Sequence, residues 1–121
     1  MVQNSNEANM QAVSKKILSY LGLAQKAGKI AAGEFMTETA IKDKKAKLVL
    51  IASEASENTK KKFVDSATYY DVPIYFFGEK EELGHCLGKE FRASVAVLDD
   101  GFATAMKKQM ECLNLTDQRR R

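Results

Sequence analysis

The chain runs to 121 residues, 45% hydrophobic and 29% charged, with one Pro and seven Gly; that balance fits one globular domain and excludes collagen-like, mucin-like and low-complexity chains. No apolar run approaches the about 20 residues of a membrane span, and the polar start lacks the charged and apolar regions of a signal peptide, so a soluble cytoplasmic chain is expected. The net charge of +3 resolves into +4 over residues 1–70, −4 over 71–100 and +3 over the last 21, which predicts a basic face of the kind nucleic-acid binders use and an acidic one.

Residues 1–12 are polar and without an apolar period, so they read as a disordered, frayed leader. The domain is expected over 13–115. Val13, Ile17, Leu21 and Ala24 recur at helical spacing beside Leu18, and Gly28 follows where a C-cap wants a left-handed residue, which predicts a helix over about 13–27. Ile30 to Ala32 is a short apolar segment. Gly33 then opens a second helix, in which Met36 with Ala40 and Thr37 with Ile41 are i,i+4 pairs, ending in the charge run Lys42 to Lys47.

Leu48 to Ala52 is uninterrupted apolar sequence of strand length, the pattern of a central strand buried on both faces. Ser56 is a good N-cap for a third helix, with Phe63, Ala67 and Tyr70 on one side and Lys60-Lys61-Lys62 largely toward solvent. Asp71-Val72-Pro73 breaks it. Ile74 to Phe77 reads as a strand, Lys80 to Leu87 as a short helix closed by Gly88, and Ala93 to Leu98 as another buried strand. Asp99-Asp100-Gly101 starts the last helix, where Phe102, Met106, Met110 and Leu113 keep one face, and 116–121 is a polar basic tail. Five helices interleaved with four short strands predict an α/β fold, a three-layer α/β/α sandwich.

Few residues suggest catalysis. Cys86 and Cys112 are too few for a disulfide framework and lack a metal-ligand set, and His85 and Cys86 are helix neighbours that cannot face each other as base and nucleophile. Asp99 and Asp100 at a strand end suit either an N-cap or a Mg²⁺ site of a phosphoacceptor-type signalling domain. A protein-interaction module using the acidic 71–100 region is the other alternative. Gly22, Gly28 and Gly33 match neither the dinucleotide nor the P-loop spacing, so no nucleotide cofactor is implied. Two places do suggest RNA. Lys15, Lys16, Lys26 and Lys29 crowd the approach to Gly33 without an acid among them, and Phe91-Arg92 joins an aromatic to a guanidinium, groups that stack on bases and hold phosphates.

The ordered segments LGLAQKAGKIAAGE, KAKLVLIASEASENTKKK, VPIYFFGEKEELGHCLGKE and SVAVLDDGFA closely resemble the YlxQ-like bacterial branch of the kink-turn-binding ribosomal protein superfamily, which includes large-subunit proteins L-seven-Ae and L-thirty-e, from about Ile17 to Met106. The resemblance implies a four-stranded mixed sheet and a non-enzymatic, ribosome-associated or structured-RNA-binding protein with no metal, no cofactor and no membrane partner. It places RNA contacts in Lys29 to Thr39, in Ala52 to Ser56 with Ser53 and Glu54, and in Lys89 to Ala93. Lys26, Lys29 and Lys42 would then touch phosphates, Gly33 would allow close approach, Glu34 would accept from base edges, and Phe91 and Arg92 would stack on or clamp unpaired nucleotides. One departure stands out. Of the family's G-x-N-E-x-x-K signature only Gly33 keeps register, with Phe35 at the Asn position, Met36 at the Glu position and Thr39 at the Lys position. Phosphate contact and stacking are therefore expected to outweigh base-edge reading, since each missing bidentate contact removes roughly 1–3 kcal/mol of discrimination.

Overall fold

A computed structural model describes residues 2–120, and the side chains of residues 7–120. In chain order the elements are α1 (Val2–Lys26), β1 (Ile30–Ala32), α2 (Glu34–Lys42), β2 (Leu48–Ile51), α3 (Glu57–Tyr70), β3 (Ile74–Phe76), α4 (Lys80–Cys86), β4 (Ser94–Val97) and α5 (Asp100–Cys112). Local chemistry accounts for most boundaries. The Ser56 side chain accepts from the Thr59 N–H at 3.1 Å and the Asp99 side chain from the Phe102 N–H at 2.9 Å, so each caps its helix as expected. Gly28 and Gly88 both take positive φ after α1 and α4.

The first helix departs from expectation, because it begins at Val2 and takes in the segment read as a frayed leader. Residues 2–12 contain no Gly or Pro to stop a helix. The buried turns around Ile17 and Leu21 supply the nucleus, and extension beyond them fixes only one residue per added bond. An apolar period is absent there because Glu7 to Ala12 are all exposed, with only Met10 reaching down to a cleft beside Leu18 and Leu113.

The sheet order is β1-β4-β2-β3, with β2 parallel to β3 and β4 antiparallel to both its neighbours. This is the mixed sheet the resemblance implied. Register pairs Ala32 with Val95 on one side of β4 and Ile51 with Ser94 on the other. All residues of β2 and β4 are buried, as strands covered on both faces must be. The crossovers from β1 to β2 and from β2 to β3 step the same way across the sheet, so the right-handed rule places α2 and α3 on one face, where they pack side by side. On the other, α1 packs against α4 and α5. Ile17 and Leu21 of α1, Ile41 of α2, Phe63 of α3 and Met106 and Met110 of α5 close the core against the strands. Among the described residues no helix is long and apolar enough to cross a membrane.

Candidate nucleic-acid interface

Because β4 runs against β1 and β2, the ends of those two strands and the start of β4 meet at one end of the sheet. Backbone bonds weld the loops there: Gly33 N–H to Ser94 O at 2.9 Å, Ala52 N–H to Ala93 O at 2.9 Å, and Ser53 N–H to Gly78 O at 2.7 Å. Arg92 N–H donates to Lys80 O at 3.1 Å, and the Glu54 carboxylate accepts from the Lys80 N–H, one of the orphan donors of the first turn of α4. Glu54 is therefore occupied as a brace between loops, with Ser53 exposed beside it.

Between α2 and the 89–93 loop lies a shallow cleft of about 340 Å³, lined by Gly33, Glu34, Phe35, Met36, Phe91 and Arg92 with Ala32 and Ala93. Phe35 is 77% exposed, Met36 52% and Phe91 61%, so three of the largest uncovered apolar side chains share one small opening. A protein that only needed stability would bury such groups, and their clustering marks a contact surface. Gly33 has φ 98° and offers no side-chain cap, which leaves the first-turn N–H groups of α2 and its positive dipole end at the cleft. That φ is what requires glycine, since a Cβ there would meet only Arg92 Nε, at 3.9 Å. Arg92 makes no ion pair among the described residues and bonds through Nη1 to its neighbour's Phe91 O at 2.7 Å, so its charge is available.

Phe91 has a second side. There it lines a cleft of about 520 Å³ whose other walls are Glu54, Glu79, Lys80 and Glu81. Three carboxylates repel phosphate, whereas Arg92 and the α2 terminus attract it, so Phe91 divides an anion-excluding groove from an anion-accepting one.

The remaining expected contacts are distributed differently. Lys26 and Lys29 sit where α1 turns into β1, with Lys29 O bonded to Leu98 N–H beyond the far end of β4. Gly33 lies four residues on, about 13 Å along an extended chain. Lys42, at the opposite end of α2 from Glu34, pairs with Glu38 at 3.4 Å. These three lysines are thus not brought to the cleft. Glu34 borders it, but its carboxylate accepts from Lys62 Nζ at 3.0 Å. Lys62 also reaches Glu38 at 3.4 Å, while Ser66 Oγ donates to Glu38 at 3.1 Å, tying α2 to α3. Burial pushes the Glu38 carboxyl up, but its bonds from Ser66, Lys62 and Lys42 outweigh that and hold it below the usual range. Thr39 is half-buried on the same helix.

Two structural facts escaped the sequence reading. Met36, which the sequence gives only as an i,i+4 partner of Ala40 and as the residue at the family's Glu position, joins the exposed cluster. Gly84 lies directly beneath the Phe91 loop, where a Cβ would come within 2.3 Å of Glu90 O. The signal for it was a glycine in the middle of a seven-residue helix, which costs helix stability unless a neighbour needs the space. Cys86 donates to Leu83 O at 3.2 Å, and burial pushes its thiol up to about 11, the reverse of what a nucleophile needs. Asp99 serves as the α5 cap.

The fold and this surface together define a small α/β/α domain with a mixed four-stranded sheet and an open, loop-built cleft at one sheet end. Residues 15–107 match the Ribosomal protein L7Ae/L30e/S12e/Gadd45 family, and the chain belongs to that family. It is 41% identical over 106 residues to the RNA-binding protein YlxQ of Enterococcus faecium, covering 88% of this chain and 98% of that one. The Bacillus subtilis (strain 168) RNA-binding protein YlxQ is 44% identical over 86 residues, 71% of this chain and 86% of its own. Large ribosomal subunit protein eL30 of Candida albicans is 33% identical over 100 residues, 81% and 88% of the two chains. Among solved structures, a Bacillus halodurans C protein of unknown function superposes with a TM-score of 0.77 at 33% identity, covering 79% of this chain and 97% of its own. The Giardia lamblia 15.5kD RNA binding protein shares the fold at a TM-score of 0.70 and 18% identity, with 85% and 88% covered.

Proposed function

We propose that this protein binds structured RNA without catalysis, gripping an unpaired nucleotide in the cleft between the start of α2 and the Phe91-Arg92 loop. The observation that carries the reading is the convergence of exposed Phe35, Met36 and Phe91 with Arg92 and the uncapped terminus of α2. RNA presents unstacked bases in internal loops and bulges, and those bases stack on aromatic faces while phosphates seek guanidinium and helix N-termini. A base against Phe91 would leave its phosphate on the Arg92 side, because Glu54, Glu79 and Glu81 repel it from the other. Relatives described as RNA-binding and ribosomal proteins support the assignment.

Phe35, Met36 and Thr39 offer little hydrogen bonding to base edges, so selectivity on this reading comes from the shape of a kink-turn-like internal loop and from stacking. The setting it implies is the cytoplasm, with ribosomal RNA the first candidate ligand. Fluorescence anisotropy with a hairpin carrying an asymmetric internal loop tests it. Phe91→Ala should cost about 1–3 kcal/mol of binding, the worth of one stacked base. Arg92→Gln should flatten the salt dependence by about 0.7–0.9 in log–log slope, one phosphate contact. No affinity at low salt, or a Phe91→Ala protein that binds as wild type, would reject the proposal.

A further inference from the structure

Beyond the cleft, the run Lys60-Lys61-Lys62 divides around α3. Lys62 turns toward α2, while Lys60 and Lys61 turn to the helix's other flank, where the C-terminal tail lies along the sheet edge. That tail is fastened at several points. Gln118 N–H donates to Ile74 O at 2.8 Å, the Ile74 N–H donates to Asp117 Oδ1 at 3.3 Å, and Arg120 N–H donates to Thr68 Oγ1 at 3.0 Å. Arg119 locks it with pairs to Asp117 and Asp71, both at 2.6 Å.

The docked tail completes a cleft of about 530 Å³ lined by Asn58, Lys60, Lys61, Phe76, Gln118 and Arg120 together with Glu57 and Val64. Three cations there meet two carboxylates, Glu57 in the wall and Asp65 behind Arg120. Lys60 stands 5.0 Å over the Phe76 ring and 4.0 Å from Glu57, whose side chain is 93% exposed, so that pair is weak. Lys61 makes no ion pair among the described residues, and Arg120 pairs with Asp65 at a half-exposed position where water and phosphate compete. Two carboxamides, Asn58 and Gln118, add neutral donors.

We infer that this tail-built cleft is a second RNA site, which takes the sugar-phosphate backbone of a single strand running on from the first cleft across the N-terminal turn of α3. The inference rests on the RNA reading of the first cleft. Its support is charge complementarity in the cleft, where Lys61 has no acidic partner among the described residues, and the place of α3, a helix about 10 Å wide, between the two surfaces. RNA is preferred over an acidic peptide because Phe76 and the carboxamides suit bases as well as charge.

The test is an NMR titration of the full chain with octauridylate at low ionic strength, repeated with the Lys61→Gln/Arg120→Gln protein. The amides of Lys61, Phe76, Gln118 and Arg120 should shift, and the double change should abolish those shifts. With a hairpin bearing a single-stranded overhang, the same change should take about 1.4 from the salt slope, at about 0.7 for each of two single-strand phosphates. The blunt hairpin should be bound as by wild type. Lys61→Gln alone, on an exposed helix position, keeps the test valid if the Arg120 change loosens the tail. Shifts confined to Gly33–Met36 and Phe91–Arg92 would overturn the second site and leave the first standing. Shifts confined to the tail cleft would do the reverse, and none at either would overturn both. A hexaglutamate peptide that moves these amides where octauridylate does not would assign the cleft to a protein partner instead.

Discussion

Gly84→Ala links the hydrophobic interior to the candidate interface in one substitution. A Cβ at Gly84 would stand 2.3 Å from Glu90 O, 2.6 Å from Glu90 C and 2.9 Å from Phe91 N. All three are backbone atoms, so no side chain can rotate away. Ordinary contact lies near 3.5 Å, and the loop must therefore withdraw by about 1 Å. Such overpacking costs about 1–3 kcal/mol. The helical backbone itself prefers Ala by about 0.8–1 kcal/mol, which offsets part of it. The net expectation is about 0–2 kcal/mol of lost stability, toward the upper end for a 2.3 Å contact with fixed backbone, and a fall in Tm of up to about 8 °C for a domain of this size, read by far-UV circular dichroism. The same displacement moves Phe91 and Arg92 out of line with Gly33, so hairpin RNA affinity, measured well below Tm, should fall toward the about 1–3 kcal/mol of a lost stacked base. Gly88→Ala is the matched control, with φ +72° and no atom within 4 Å of its Cβ. It should cost about 1–2 kcal/mol in left-handed strain and leave affinity unchanged. A Gly84→Ala protein with wild-type Tm and wild-type affinity would refute the reasoning.

Lys29→Gln should leave binding of a short internal-loop hairpin within twofold of wild type while Arg92→Gln weakens it, since only Arg92 lines the cleft; equal losses in anisotropy titrations would contradict the placement. Glu38 has a folded pKa held below its usual 4.5, so the unfolded chain takes up the proton first as pH falls. Its stabilising contribution is complete above that value and disappears as pH drops through the folded pKa; Tm should therefore decline more steeply from about pH 5 to 3 in wild type than in Glu38→Gln. Asp99→Ala should destabilise the domain by about 1 kcal/mol in urea unfolding through the lost α5 cap, with RNA affinity unchanged; unaltered stability would show that the cap bond carries little.

Helix and strand order was legible because each element announces itself locally. The run Leu48 to Ile51 could only be a strand covered on both faces, and Ser56 and Asp99 stand one step before helices whose first N–H groups they satisfy. Gly33 and the pair Phe91-Arg92, residues of the proposed cleft, were also legible as candidates, because a glycine at a strand-to-helix turn and an aromatic beside a guanidinium are properties of single positions. The start of α1 was not, since an exposed helix extension carries no apolar period. Sequence proximity groups Lys26 and Lys29 with Gly33, and the resemblance adds Lys42 as a phosphate contact, yet a strand and a helix carry the chain away from the point where it turns.

The sequence by itself determined the elements, the identity of the family and the chemistry available to a binding surface. The elements and the chemistry depend on periodicity, capping and residue type, which act within a few positions, and the family on the resemblance of whole ordered segments. Only the tertiary structure decided which of those residues meet. Insertion of β4 antiparallel between β1 and β2 brings Arg92 to Gly33 and sends Lys29 to the far end. The docking of Asp117 and Gln118 on Ile74 turns a basic tail into the wall of a cleft. Strand direction and edge pairing are set by hydrogen bonds between residues far apart in the chain, and no local pattern records them.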